Sequence, residues 1–199
     1  MTERALPSGI EPREVRSAHL QLLILSLACL AAASVIGWLL LRSDGHAPQL
    51  PTAGGGPMLV SQAQLERLPD VVGHPVYWAG ARDGFSYELT RTSNGRIFVR
   101  YLPSGVSAGD ERPDFLTVGT YSRPGSFAAL RRAAGSPGSV SVKLPSRGLM
   151  VFASNKPKSV YLGYPGTEYQ VEVFAPSRST ARRLVMSDAI APIRSLKKR

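Results

Sequence analysis

Ser86 to Leu102, SYELTRTSNGRIFVRYL, is the stretch that decides the fold class. Two runs rich in Tyr, Thr, Ile, Phe and Val flank Asn94-Gly95, whose two residues accept positive φ more readily than others, and this pattern is the strongest short hairpin signal. A two-residue type I′ loop there would pair Arg91 with Phe98, Leu89 with Arg100 and Tyr87 with Leu102 on one side. Thr92 with Ile97, Thr90 with Val99 and Glu88 with Tyr101 would then occupy the other. Both sides are half apolar. The Ile97, Val99 and Tyr101 side is expected to face the core, leaving Arg91 and Arg100 on the opposite face.

Outward from this hairpin the pattern continues as strands and short helices. Ser61 with Gln64 forms a capping box that opens a helix, and Pro69 is expected to stop it soon after Leu68. Strands are expected at Pro75–Trp78, Phe115–Tyr121, Ser139–Leu144, Gly148–Ala153, Ser159–Gly163 and Tyr169–Phe174. Ser126 is placed to cap a helix to Ala134, with Arg131 and Arg132 near its C-terminal end and Gly135 as its stop. Ser177 is placed to cap another helix to about Ser187. Four strands and then a helix, twice, is the apparent order. Val76-Tyr77 followed by Tyr87, and Val160-Tyr161 followed by Tyr169, hint at a weak internal duplication. The fold class is α+β, a mainly antiparallel sheet with short packed helices.

Upstream lies an uninterrupted apolar run, Leu20 to Leu41, bracketed by His19 and Arg42. Its 22 residues would span roughly 33 Å as a helix, enough for a hydrocarbon core of about 30 Å. It is expected to be a retained transmembrane helix. A cleaved signal peptide fits poorly, because Ala31, Ala32 and Ala33 sit in mid-run and cutting there leaves a long apolar stump. A lipidated Cys29 fits poorly too, since the run continues for twelve residues beyond it. Arg4, Arg13 and Arg16 precede the span and only Arg42 follows closely, which favours a cytosolic N-terminus and an external C-terminal domain. The expected organisation is therefore a disordered tail over residues 1–19, the span over 20–41 and a Pro/Gly-rich linker over 42–60. An extracytoplasmic domain over 61–193 and a basic tail over 194–199 complete it.

Charge is the other global signal. The chain carries 24 Lys and Arg against 14 Asp and Glu, a formal net charge of +10. Arg178, Arg182, Arg183, Arg194, Lys197, Lys198 and Arg199 stand against Asp188 alone near the C-terminus. A domain this basic beside a membrane is attracted to polyanions such as lipid headgroups, anionic envelope polymers or nucleic acid.

The inventory of reactive groups is thin. Beyond the span, only His46 and His74 are available as imidazole ligands, so neither zinc nor another metal site is expected. There is no G-x-S-x-G elbow, no P-loop and no G-x-G-x-x-G, and the S-x-x-K spacing of Ser195 and Lys198 falls in the terminal tail. Neither a catalytic residue nor a cofactor is assigned. Asp110, Glu111 and Asp114 read as a solvated loop, with weak cation binding or pairing to Arg112 as the alternatives. Tyr77, Trp78, Phe85, Tyr87, Phe98 and Tyr101 read first as core; an exposed subset beside Arg91 and Arg100 would instead make a stacking platform. The candidate binding residues are Tyr77, Trp78, Tyr87, Arg91, Arg100, Arg194, Lys197, Lys198 and Arg199.

The runs HPVYWAG (74–80), YELTRTSNGRIFVRYLPSGVSAGD (87–110) and FLTVGTY (115–121) together resemble a group of single-pass, membrane-anchored proteins of high-GC actinobacteria with no established activity. The resemblance implies a bacterial envelope setting and carries over no catalytic residue. The leading expectation is a membrane-tethered, non-enzymatic binding or scaffolding module contacting anionic envelope polymers, lipid or a protein partner. The second reading reverses the anchor and puts the basic domain on nucleic acid in the cytosol. An envelope enzyme is the third.

Overall fold

The computed structural model describes residues 49–194, so the expected tail, the expected span and the first part of the expected linker (42–48), along with Lys197, Lys198 and Arg199, lie outside the described residues. Among the described residues no helix is long and apolar enough to cross a membrane. The elements are β1 (Met58–Val60), α1 (Gln62–Val72), β2 (Tyr77–Trp78), β3 (Phe85–Arg91), β4 (Ile97–Pro103), β5 (Thr117–Ser122) and α2 (Ser126–Ala134). Then come β6 (Ser139–Lys143), β7 (Leu149–Ala153), β8 (Ser159–Gly163), β9 (Tyr169–Phe174), α3 (Arg178–Met186) and β10 (Ala191–Pro192). Eight strands form one sheet in the order β1-β3-β4-β5-β9-β8-β7-β6, and β2 pairs separately with β10. Every recorded pairing is antiparallel. The α+β class expected from the sequence is the one observed.

The hairpin forms, but one residue out of the expected register. Tyr87 faces Tyr101, Leu89 faces Val99 and Arg91 faces Ile97. The cause is the loop. Gly95 N–H donates to Thr92 O at 3.1 Å and Thr92 N–H to Arg96 O at 2.9 Å, so three residues, Ser93, Asn94 and Gly95, cross between the strands, with Gly95 at φ 77°. This is a type I turn closed by a left-handed residue, the next commonest hairpin loop after the two-residue kind. The Thr92 hydroxyl holds it, donating to Asn94 Oδ1 at 2.6 Å and accepting from Arg96 N–H at 2.9 Å. Because side chains alternate with period two, the slip changes every partner. Ile97, Val99 and Tyr101 do face the core as expected, but opposite Arg91, Leu89 and Tyr87 rather than the two threonines and Glu88. Arg91 consequently shares the core face at its rim, contrary to its expected place. Glu88 instead faces Arg100 on the other side.

The core sits on that first face. Leu89, Val99, Val118, Val173 and Val160 stand side by side across five strands, each fully buried. Branched side chains on adjacent strands pack closely on a pleated surface, which explains why Val dominates the row. Leu65 and Leu68 of α1, and Ala181, Leu184 and Val185 of α3, join the same cluster. α2 lies on the opposite face at one end, where Leu130 and Phe127 approach Gly163. The two meanders, β3-β4-β5 and β6-β7-β8-β9, meet through the β5·β9 pair. The expected order of four strands and a helix does occur twice, but β2 leaves the main sheet while β8 stays in it. The two Val-Tyr matches therefore fall on strands without equivalent places.

Several local expectations are corrected. The capping box is present, Gln64 N–H donating to Ser61 Oγ at 3.2 Å and Ser61 N–H to Gln64 Oε1 at 2.7 Å. Pro69, however, lies inside α1, which continues to Val72 and closes on Gly73 at φ 73°. Proline sacrifices one intrahelical bond, and the burial of Leu65 and Leu68 holds the helix through it. α2 is capped by Gly125, and Ser126 turns inward to donate to Thr167 O at 3.3 Å. Ser177 is the N-cap of α3 but makes no capping bond; its hydroxyl meets that of Ser179 at 2.8 Å. The folded unit also starts before Ser61. Met58, Leu59 and Val60 pair with Leu89, Glu88 and Tyr87 at the sheet's edge, and Gly54 N–H donates to Arg91 O at 2.8 Å.

The β6–β7 turn repeats the loop geometry of the first hairpin with one difference. Leu144 N–H donates to Gly148 O at 2.8 Å and Arg147 N–H to Leu144 O at 3.0 Å, yet the left-handed position is held by Arg147 at φ 63°. An arginine there costs about 1–2 kcal/mol that a glycine would not. Glycine comes one residue later. A Cβ on Gly148 would sit 2.8 Å from the Tyr164 ring, so that ring occupies the space.

Candidate functional site

The residues nominated from the sequence do not come together. Tyr77 and Tyr87 are both buried. The Tyr77 N–H donates to Thr120 Oγ1 at 3.0 Å, its ring stacks on Tyr164 at 6.0 Å, and burial before all else pushes its hydroxyl up to about 12. Trp78 meets Tyr87 edge-on at 6.0 Å. The Tyr87 and Tyr101 hydroxyls accept from the N–H groups of Arg82 and Ala79 at 3.0 and 2.7 Å, so this group fixes the turn after β2. Core packing thus accounts for these rings. His74 stacks on Tyr169 at 5.3 Å with Nδ1 2.9 Å from Pro75 O.

The two nominated arginines are engaged by the protein itself. Arg91 donates to Pro51 O at 3.0 Å. Arg100 pairs with Glu88 at 2.7 Å, donates to the carbonyls of Asp110 and Arg112 at 2.8 and 3.1 Å, and lies over the Phe115 ring at 4.9 Å. Asp110 pairs with Arg112 at 2.8 Å, and that guanidinium holds its carboxyl down at about 2. Asp110 is therefore paired as the alternative had it, while Glu111 and Asp114 are exposed as a solvated loop requires. Arg194 is exposed just after β10.

What the sequence reading missed is the face opposite the core, which α2 leaves uncovered over β4, β5 and β9. There Phe98, Gly119, Glu172 and Tyr161 form one row across four strands. Gly119 is the enabling position. A Cβ on it would lie 3.0 Å from the Tyr121 hydroxyl and 3.2 Å from the Phe98 ring, so its bare backbone lets Tyr121 fold across. Tyr121 then donates to Glu172 Oε2 at 2.5 Å and Tyr161 donates to Oε1 at 3.1 Å. Burial raises both phenols, aided by the carboxylate, and Tyr161 reaches about 12. The phenols stay protonated and act as donors, so Glu172 is a fixed acceptor beneath Arg96, whose guanidinium covers Tyr121 at 5.6 Å. Replacing Gly119 by Val is expected to expel Tyr121 and to lower stability by about 1–3 kcal/mol, the usual cost of overpacking, as read from denaturant melts.

Charge divides along the chain at the β5–α2 junction. Residues 49–122 hold six Lys and Arg against seven Asp and Glu, whereas residues 123–194 hold eleven against three. Among the described residues, the two ion pairs both lie in the first part. Neither of them involves a cation of the second part. No protein-family model, characterised protein or solved structure matches this chain. No cluster of His, Cys, Asp and Glu among the described residues could hold a metal ion.

Proposed function

We propose that this chain is a membrane-tethered, non-enzymatic binding module of the bacterial cell envelope. In this reading Leu20–Leu41 spans the cytoplasmic membrane with the N-terminus inside, and the α+β domain stands outside as a charge-driven contact for anionic polymers, lipid or a protein partner. The observation that carries it is the division of charge: eleven cations against three carboxylates over residues 123–194, where neither ion pair of the described residues falls. A concentration of one sign raises the local density of oppositely charged partners and weakens with salt. The resemblance to actinobacterial anchored proteins supports the same setting.

The test has two arms. A reporter fused after Arg199 should be active only outside the cytoplasmic membrane. The fragment from Gln49 to Arg199 should sediment with isolated envelope or anionic vesicles at low salt and be released at about 1 M, where the screening length shrinks to about 3 Å. A cytosolic reporter with a salt-dependent shift of DNA would instead favour the nucleic-acid reading, and absence of low-salt binding to any envelope fraction would end the proposal.

A further inference from the structure

Between α2 and the β6–β7 turn lies a groove of about 560 Å³, lined on its apolar side by Phe127, Leu144 and Leu149 and on its charged side by Arg131, Lys143 and Arg147. The three cations come from three different elements, all are exposed, and no carboxylate lines the space. Two have reasons unconnected with a ligand. Arg131 sits in the last turn of α2, where a cation complements the carbonyl end of the helix, and Lys143 lies on the edge strand β6, where lysine discourages pairing with other chains.

Arg147 has no such reason. It occupies the left-handed position that Gly95 fills in the sister turn, with the same two backbone bonds around it. Strain kept at a position where glycine would relieve it points to a task for the side chain. An apolar floor beneath a cationic rim matches an anionic headgroup continuing into an acyl chain, and an open groove of this volume, in the range of small-ligand sites, has room for the headgroup and the start of one chain.

We propose that this groove binds an anionic phospholipid, its phosphate held by Arg147 with Arg131 and Lys143 and its chain laid against Phe127, Leu144 and Leu149. The site rests on the envelope-binding reading above and names the ligand class and the residue that selects it. The test uses the full chain in neutral detergent, titrated with phosphatidylglycerol or phosphatidylcholine, with bound lipid counted by native mass spectrometry. Phosphatidylglycerol should bind at least tenfold more tightly than phosphatidylcholine. Arg147→Gly should abolish that preference while leaving the melting temperature unchanged or higher, and Lys143→Ala should weaken binding without altering the melt.

Undiminished preference in Arg147→Gly, or a lowered melting temperature in that variant, would overturn the assignment. So would a wild-type chain that binds soluble polyphosphate but shows no lipid preference, because the occupant would then be a polymer. If the groove variants change nothing yet the Gln49–Arg199 fragment still sediments with anionic vesicles, the site fails and the broader function stands. If the fragment fails as well, both fall.

Discussion

Glu88→Ala is expected to lower the stability of the full chain by about 3 kcal/mol, near the lower bound for breaking a buried ion pair. The Glu88 side chain is 1% exposed and its partner Arg100 is 19% exposed, so solvent can partly rehydrate the abandoned guanidinium, which sets the effect at that lower bound. More than a charge is lost. Glu88 also accepts from Gly109 N–H at 2.6 Å, while Arg100 holds the carbonyls of Asp110 and Arg112. The one carboxylate therefore fastens the long β4–β5 connection to the sheet from both sides. Glu88→Gln keeps an acceptor for Gly109 and should cost less. Urea midpoints for the two variants check this, and an alanine variant that melts with the wild type would show the connection to be held by other contacts.

The neighbouring residue gives the second large effect through different physics. Leu89→Ala is expected to cost about 2–5 kcal/mol, the range for deleting a buried leucine and leaving a partly collapsed cavity. Leu89 is fully buried and begins the row that continues through Val99, Val118, Val173 and Val160, so the cavity opens inside a close-packed line. Leu59→Ala on the edge strand is the internal control. Leu59 is 45% exposed, and a surface change of that kind should stay within about 0.5 kcal/mol. Equal losses at the two leucines would place the core somewhere other than this face.

Alternation and turn chemistry made most of the sheet readable. Tyr169–Phe174 and Ser159–Gly163 have the bounds expected from their patterns, and the Ser61 and Gln64 box forms as its spacing requires. Register was harder, because Asn94-Gly95 suits both a two-residue and a three-residue loop. The choice is made by the Thr92 hydroxyl, a side-chain bond that a dipeptide rule does not weigh. Pro69 and Ser126 show tertiary burial overriding a local signal. The uncovered face was illegible for another reason. Phe98, Gly119, Glu172 and Tyr161 lie on four strands, and only the β5·β9 pairing, which no local pattern announces, brings them into one row. Arg147 looks like an ordinary turn residue until its backbone angle is known.

The short edge strand has a mechanical consequence. β1 is held to β3 over only three paired residues, Met58 to Val60, with Gly54 and Pro51 fastened to Arg91 just ahead of them. Tension applied to the polypeptide upstream of Gln49 reaches this seam before any helix or inner strand. Peeling it open would pay out the segment from 49 to 60, roughly 40 Å of slack at about 3.3–3.6 Å per residue, while baring the β3 edge for a new strand to occupy.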